Sequence, residues 1–259
     1  VQQSTANGTV RLLDPAYRIA AKGSLEACLD AGQTQAPAAE GDRAVILLHG
    51  LGRGRIVMRR MEHALRKAGW TVANVGYPSL RRPLAYHVDA VRCIARALHQ
   101  DGAHEIALVG HSLGGLVARM TAVHAGEDGW TLGRIVLVGS PAQGSAIAEA
   151  LKDFPPFRAI AGECGRAVTP LHAIQVPVPA TEIAIIAGGN GKNGYNPFLT
   201  GDNDGIVTVD ETRLPGTESA FLLLPSTHTR LPMRHDTVAA TLSFLETGHL
   251  LTQLQAGRS

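Results

Sequence analysis

Short apolar runs rich in β-branched residues recur along the chain, with helical patterns between them. The runs fall at 44–48, 71–75, 105–109, 134–138, 182–187 and 219–224. They are nearly continuous rather than alternating, as expected of strands buried on both faces in a parallel sheet. Between them, Leu84, Val88, Val91, Ala95 and Leu98 follow a three-to-four spacing that lines one helix face. Residues 58–68, 113–125 and 236–245 read as further helices. Strand–helix–strand repetition with short connections predicts an α/β protein: a mostly parallel central sheet with helices on both faces.

Two stretches break the rhythm. The first forty or so residues hold an amphipathic piece at 17–29 and a small-residue linker at 31–41. Later, about forty residues separate two strands at 140–181, a length that is uncommon for a plain connection. This stretch carries Pro141, Pro155, Pro156, Pro170, Pro177 and Pro179. An insertion above the carboxyl end of a sheet is where a cap over a substrate would sit. A helix plus an irregular surface loop is the plainer alternative. The expectation is one domain over 1–259, with 141–181 as a compact cap or lid.

Composition narrows the class without choosing a function. Hydrophobic residues make up 45% and charged residues 18% of 259, enough for a sizeable core and far from a disordered chain. The net charge of +2, from 24 basic and 22 acidic residues, gives no reason to expect a nucleic-acid partner. No apolar run approaches the ~20 residues that span a bilayer, so no transmembrane segment is expected. Cys28, Cys93 and Cys164 are too few and scattered for a disulfide scaffold or a zinc site. One bridge with a spare thiol and three buried free thiols both fit.

Candidate chemistry concentrates at Gly110-His111-Ser112-Leu113-Gly114, a G-x-S-x-G pattern between a predicted strand and a predicted helix. That context gives the pattern meaning: a serine on a sharp strand-to-helix turn has a strained backbone, and the two glycines leave room for the turn. The turn lifts the hydroxyl above the sheet edge, where the next helix directs its positive end. The idle alternative is a tight turn with an inert serine. No P-loop or dinucleotide fingerprint is present.

A serine hydroxyl needs a general base, and the base needs an orienting carboxylate. On this architecture both follow the serine, acid before histidine. His228 comes a few residues after an apolar strand, at its carboxyl end, and is the best-placed base; His235, opening the next helix, is the runner-up. The loop Gly201-Asp202-Asn203-Asp204-Gly205 offers the acid. Asp204 is backed by the apolar Ile206 and Val207, whereas Asp202 suits a turn cap. Calcium on Asp202, Asn203 and Asp204 is a third reading, weakened by the lack of EF-hand spacing. Oxyanion donors are expected at the backbone N–H groups of Leu113 and of Leu51, in the loop His49-Gly50-Leu51-Gly52-Arg53. His49 reads as a brace for that loop rather than a catalytic group.

Taken together, His49-Gly50-Leu51-Gly52-Arg53, Tyr77-Pro78-Ser79, Gly110-His111-Ser112-Leu113-Gly114, Ser140-Pro141-Ala142-Gln143-Gly144-Ser145, Asp204-Gly205-Ile206-Val207 and Pro225-Ser226-Thr227-His228-Thr229 resemble the α/β-hydrolases, of the small bacterial lipase/esterase type. They occur in that family's order and cover roughly 43–247. The resemblance implies Ser112 as nucleophile, Asp204 as acid and His228 as base, with oxyanion N–H groups at Leu51 and Leu113 and no metal or other cofactor. It implies an esterase or lipase working through an acyl-enzyme, on a small-molecule or lipid ester. A thioesterase, amidase, acyltransferase or polyester depolymerase could share the scaffold, as could a non-catalytic binding protein. Ile147, Leu151 and Phe154 are the expected pocket residues. No arginine cluster obviously demands an anionic substrate, although Arg53, Arg55, Arg81 and Arg82 are candidates for the rim, so an uncharged ester with a short-to-medium aliphatic acyl chain is favoured. The family's frequent export, and a start at Val1 rather than Met, lean towards a secreted or periplasmic protein.

Overall fold

A computed structural model of the chain describes residues 2–4, 10–13, 19–23, 42–80, 82–155 and 161–251. Six parallel strands form the central sheet: β4 (Arg43–Leu48), β5 (Thr71–Val75), β6 (Glu105–His111), β7 (Thr131–Val138), β8 (Ile183–Gly189) and β9 (Ala220–Pro225). Their spatial order is β5-β4-β6-β7-β8-β9. The predicted apolar runs coincide with these strands, and the three central ones extend further than expected. β8, which has neighbours on both sides, is buried at every position, so it carries no polar alternation.

Two apolar layers sandwich the sheet. On one face Ala44, Ile46, Leu48, Ile106 and Leu108 pack under α2 (Leu84–Gln100) and α3 (Leu113–Ala122). On the other, Val45, Leu47, Ala107 and Val109 pack under α1 (Arg59–Lys67) and α7 (His235–Thr247). Alternate residues of each strand thus serve opposite layers, which follows from the two-residue period of a strand.

A separate antiparallel sheet holds β1 (Gln2–Ser4), β2 (Val10–Leu13) and β3 (Ile19–Gly23). The amphipathic piece foreseen at 17–29 therefore contains a strand, and the linker at 31–41 lies outside the described residues. The 140–181 segment carries α4 (Ala146–Leu151), a short 3-10 turn at Glu163–Gly165 and α5 (Pro170–Ala173). It is tied to the sheet layer by Arg119 of α3, which is 1% exposed. The guanidinium donates to the carbonyls of Ala142 (3.2 Å), Pro177 (3.1 Å) and Val176. Both ends of the segment thus hang on one buried side chain.

Among the described residues no helix is long and apolar enough to cross a membrane. Cys93 is exposed, and the buried Cys164 thiol donates to the Arg82 carbonyl at 3.0 Å; Cys28 lies outside the described residues.

Candidate active site

The loops that carry the predicted chemistry all leave the carboxyl ends of strands, where open α/β sheets gather their ligand sites. Ser112 ends β6 and starts α3 with φ 55° and ψ −123°, and is the only non-glycine residue with positive φ among those described. Such a conformation costs about 1–3 kcal/mol and persists only where its surroundings enforce it. Here the enforcement is steric. A Cβ on Gly110 would lie 2.3 Å from the carbonyl oxygen of Gly114, and one on Gly114 would lie 2.4 Å from that of Leu48. The helix can approach the sheet this closely only because both positions lack side chains. The Ser112 N–H donates to the Val138 carbonyl at 3.0 Å, which pins the turn to β7. The Ser112 hydroxyl makes no hydrogen bond to a described residue and opens into a cavity that His228 also lines. In unliganded enzymes such contacts commonly tighten only when substrate arrives.

His228 follows β9 and is buried beside Asp204, which follows β8. The imidazole Nδ1 lies 2.6 Å from Asp204 Oδ2. The other carboxylate oxygen accepts the N–H groups of Ile206 (3.0 Å) and Val207 (2.8 Å). A carboxylate held on one side by two amides has a single direction left to reach, towards the imidazole. Asp202, the rival acid, accepts instead from the backbone N–H groups of Asn190, Gly191 and Asn203 and shapes the loop. Asp210 is exposed. His235 begins α7, and His124 pairs with Glu127 at 2.9 Å. Among the described residues no group of His, Cys, Asp and Glu side chains could hold a metal ion.

His111, directly before the serine, is a buried neighbour that sequence reasoning passed over. Its Nε2–H donates to the His228 carbonyl at 3.1 Å, and its ring lies 4.8 Å from that of His228. Burial, with the nearby His228 adding to it, pushes its pKa well below the usual imidazole value, so it stays neutral. His49 donates from Nδ1 to the Gly50 carbonyl (2.9 Å), accepts the Tyr77 N–H (3.3 Å) at Nε2, and stacks on the Tyr77 ring. The Tyr77 hydroxyl returns a bond to the His49 carbonyl. Both imidazole nitrogens are engaged, and burial lowers the pKa of this ring too. The N–H groups of Leu51 and Leu113 donate to no described acceptor.

The cavity has a volume of about 190 Å³. Ile147 lines it, together with Ala148, Val168, Ile206 and Val207. Leu151 and Phe154 do not: they are 36% and 54% exposed, at the end of α4 and just beyond it. α4 turns only its first residues towards the cavity. Val168, Ile206 and Val207 come from other loops, and no periodicity flags such positions.

Comparison with known proteins agrees with this fold. A profile of the PGAP1-like alpha/beta domain matches residues 71–155, which include β5, β6 and the serine turn. The mature lipase BlEst2 of Bacillus licheniformis superposes with a TM-score of 0.65 at 18% identity, over 83% of this chain and 94% of that one. A metagenomic carboxyl esterase, MGS0156, gives 0.55 at 16% identity over 82% and 71%. The type II thioesterase BorB of a borrelidin biosynthetic cluster gives 0.54 at 20% identity over 82% and 95%. No curated protein matches the sequence. The chain has the α/β-hydrolase fold, and bacterial lipases and esterases are among its structural neighbours.

Proposed function

We propose that the protein is a serine hydrolase of carboxylic esters, working through an acyl-enzyme. Ser112 is the nucleophile, His228 its general base and Asp204 the carboxylate that orients and charges the imidazole. The observation that carries this reading is the 2.6 Å His228–Asp204 contact, with His228 lining the same cavity as Ser112, the one described non-glycine residue held at positive φ. His228 takes the hydroxyl proton as the oxygen attacks the ester carbonyl. The Leu51 and Leu113 N–H groups hold the oxyanion, each such donor being worth roughly 3 kcal/mol of barrier. His228 then protonates the leaving alcohol, and water repeats the sequence on the acyl-enzyme. Residues 141–181 act as a compact cap, since Ser145, Ile147, Ala148 and Val168 wall the cavity. A volume of about 190 Å³ is smaller than drug-sized pockets of ~300 Å³ and more, and so favours short-to-medium acyl chains.

The test is intact-mass analysis after treatment with a p-nitrophenyl phosphonate, on wild type and Ser112→Ala. One stoichiometric adduct on wild type, mapping to Ser112, and none on the variant is the expected result. An unmodified wild type would favour a binding protein on a hydrolase scaffold. Esters, thioesters and amides run side by side then fix the bond cleaved. A preference for acyl chains beyond about twelve carbons would contradict the pocket size.

A further inference from the structure

Among the described residues, the cavity beside Ser112 carries one permanently charged side chain, Arg53. It belongs to the Leu51 loop, and its guanidinium donates to Thr229 Oγ1 at 2.8 Å, one residue past His228. Its remaining N–H groups bind no described partner, and no described carboxylate lies within ion-pair distance. The described cavity lining contains no Asp or Glu. Asp204, close by, is 2% exposed and engaged by His228 and two amides, so it cannot neutralise the arginine. Two other arginines near these loops are occupied: Arg60 donates to the Met233 carbonyl, and Arg234 donates to Asp236.

We infer that Arg53 selects an ester that carries an anionic group, a carboxylate or a phosphate, seated against the guanidinium at the mouth of the Ser112 cavity. A guanidinium fork already oriented by Thr229 keeps several donors directed outward, and it matches the planar face of a carboxylate or two oxygens of a phosphate. The cavity's apolar wall takes the aliphatic part, while Arg53 takes the charge. This replaces the uncharged ester favoured by the sequence, where a single arginine among several could not be assigned to the pocket. The depressed basicity of His111, to which Arg53 contributes, agrees with its positive field reaching the serine turn. The inference rests on the hydrolase reading above.

The anion can sit on either side of the scissile bond, and paired substrates separate the two sources. On the acyl side, p-nitrophenyl hydrogen glutarate is compared with p-nitrophenyl valerate. On the alcohol side, butyryl glycerol 3-phosphate is compared with monobutyrin. In wild type, kcat/KM should favour the anionic member of one pair, and raising salt should erode that preference. In Arg53→Gln the anionic-to-neutral ratio should fall about tenfold or more, the usual size of a lost charge-assisted contact. Arg53→Lys should recover part of the ratio, and Thr229→Val should keep the ratio above one. If Arg53→Gln lowers both members of each pair equally, Arg53 is only a strap between two loops and the inference fails. It fails also if wild type shows no anionic preference in either pair. Binding of butylphosphonate to Ser112→Ala, measured by calorimetry, does not depend on turnover. Affinity unchanged by adding Arg53→Gln would overturn the assignment even if every ester is cleaved. Affinity lost with it would support the assignment even if none is.

Discussion

His228 is tied to Asp204 twice. Its backbone N–H donates to the Asp204 carbonyl at 2.9 Å, and its ring Nδ1 meets the Asp204 carboxylate at 2.6 Å. The two loops that end β8 and β9 are thereby locked in register, and the ring cannot turn without breaking the shorter bond. The side-chain bond sets the imidazole tautomer: Nδ1 holds the proton and Nε2 is left to accept one.

Replacing Asp204 by Asn should therefore leave the backbone bond and the fold in place while removing the charge and inverting the tautomer. The expected loss in kcat is on the order of 10⁴-fold, with little change in melting temperature. Ester hydrolysis by the purified variant measures it, and near-normal turnover would mean that another group orients His228.

Gly114→Ala is expected to act through backbone contact. The new methyl would fall 2.4 Å from the Leu48 carbonyl oxygen, an atom that no rotamer change can move. A loss of roughly 1–3 kcal/mol in urea unfolding should accompany it, with activity falling further than the folded fraction does. Gly126→Ala, which meets nothing within 4 Å, is the matched control and should be close to neutral.

Arg119 is a buried cation whose partners are three carbonyl oxygens rather than a carboxylate. Burial draws its pKa down to about 10, so it remains charged near neutrality. Arg119→Met would leave those carbonyls without a donor and should destabilise the protein by about 2–3 kcal/mol. Limited proteolysis should then cut first within 141–181. Unchanged digestion would show that the segment is held by other contacts.

Acid should weaken the fold. Burial lowers the pKa of His87 from 6.5 to about 4, opposed in part by the nearby Arg82 carbonyl. Burial also lowers those of His49 and His111. Between the ordinary value and the folded one, the unfolded chain binds protons that the folded chain refuses. Stability is therefore fully present above about pH 6.5 and falls as the pH drops towards 4, by up to about 1.4 kcal/mol per pH unit for each such ring. Melting temperatures across this window should show the decline, and His87→Leu should flatten it. An unaltered slope in that variant would assign the effect to the other two rings.

The sheet was legible because strands buried on both faces must be nearly continuous in apolar residues, and β4, β6 and β8 announce themselves that way. The serine turn was legible because its geometry forces glycine at 110 and 114. Other features left weaker traces. Thr208 and Glu211 form a capping box at the start of α6 (Val209–Thr212), and that Thr-x-x-Glu spacing stood in the sequence unread. Arg119 gave no sign of its burial, because its acceptors lie at positions 142, 176 and 177, far along the chain. Leu151 shares a helix face with Ile147 in principle, but α4 stops there and leaves it near solvent. Pocket composition depends on where loops end, which local spacing does not encode.

The spatial order of the strands has a temporal side. The serine turn is built on β4, β6 and β7, yet its partner histidine arrives only after β9, which pairs with β8 alone. The bond from His111 to the His228 carbonyl joins positions 117 apart in sequence, a closure that rewards the chain late. On the proposed mechanism a growing chain thus holds its bent serine for most of synthesis while that serine stays chemically silent, because its proposed base is among the last groups to dock.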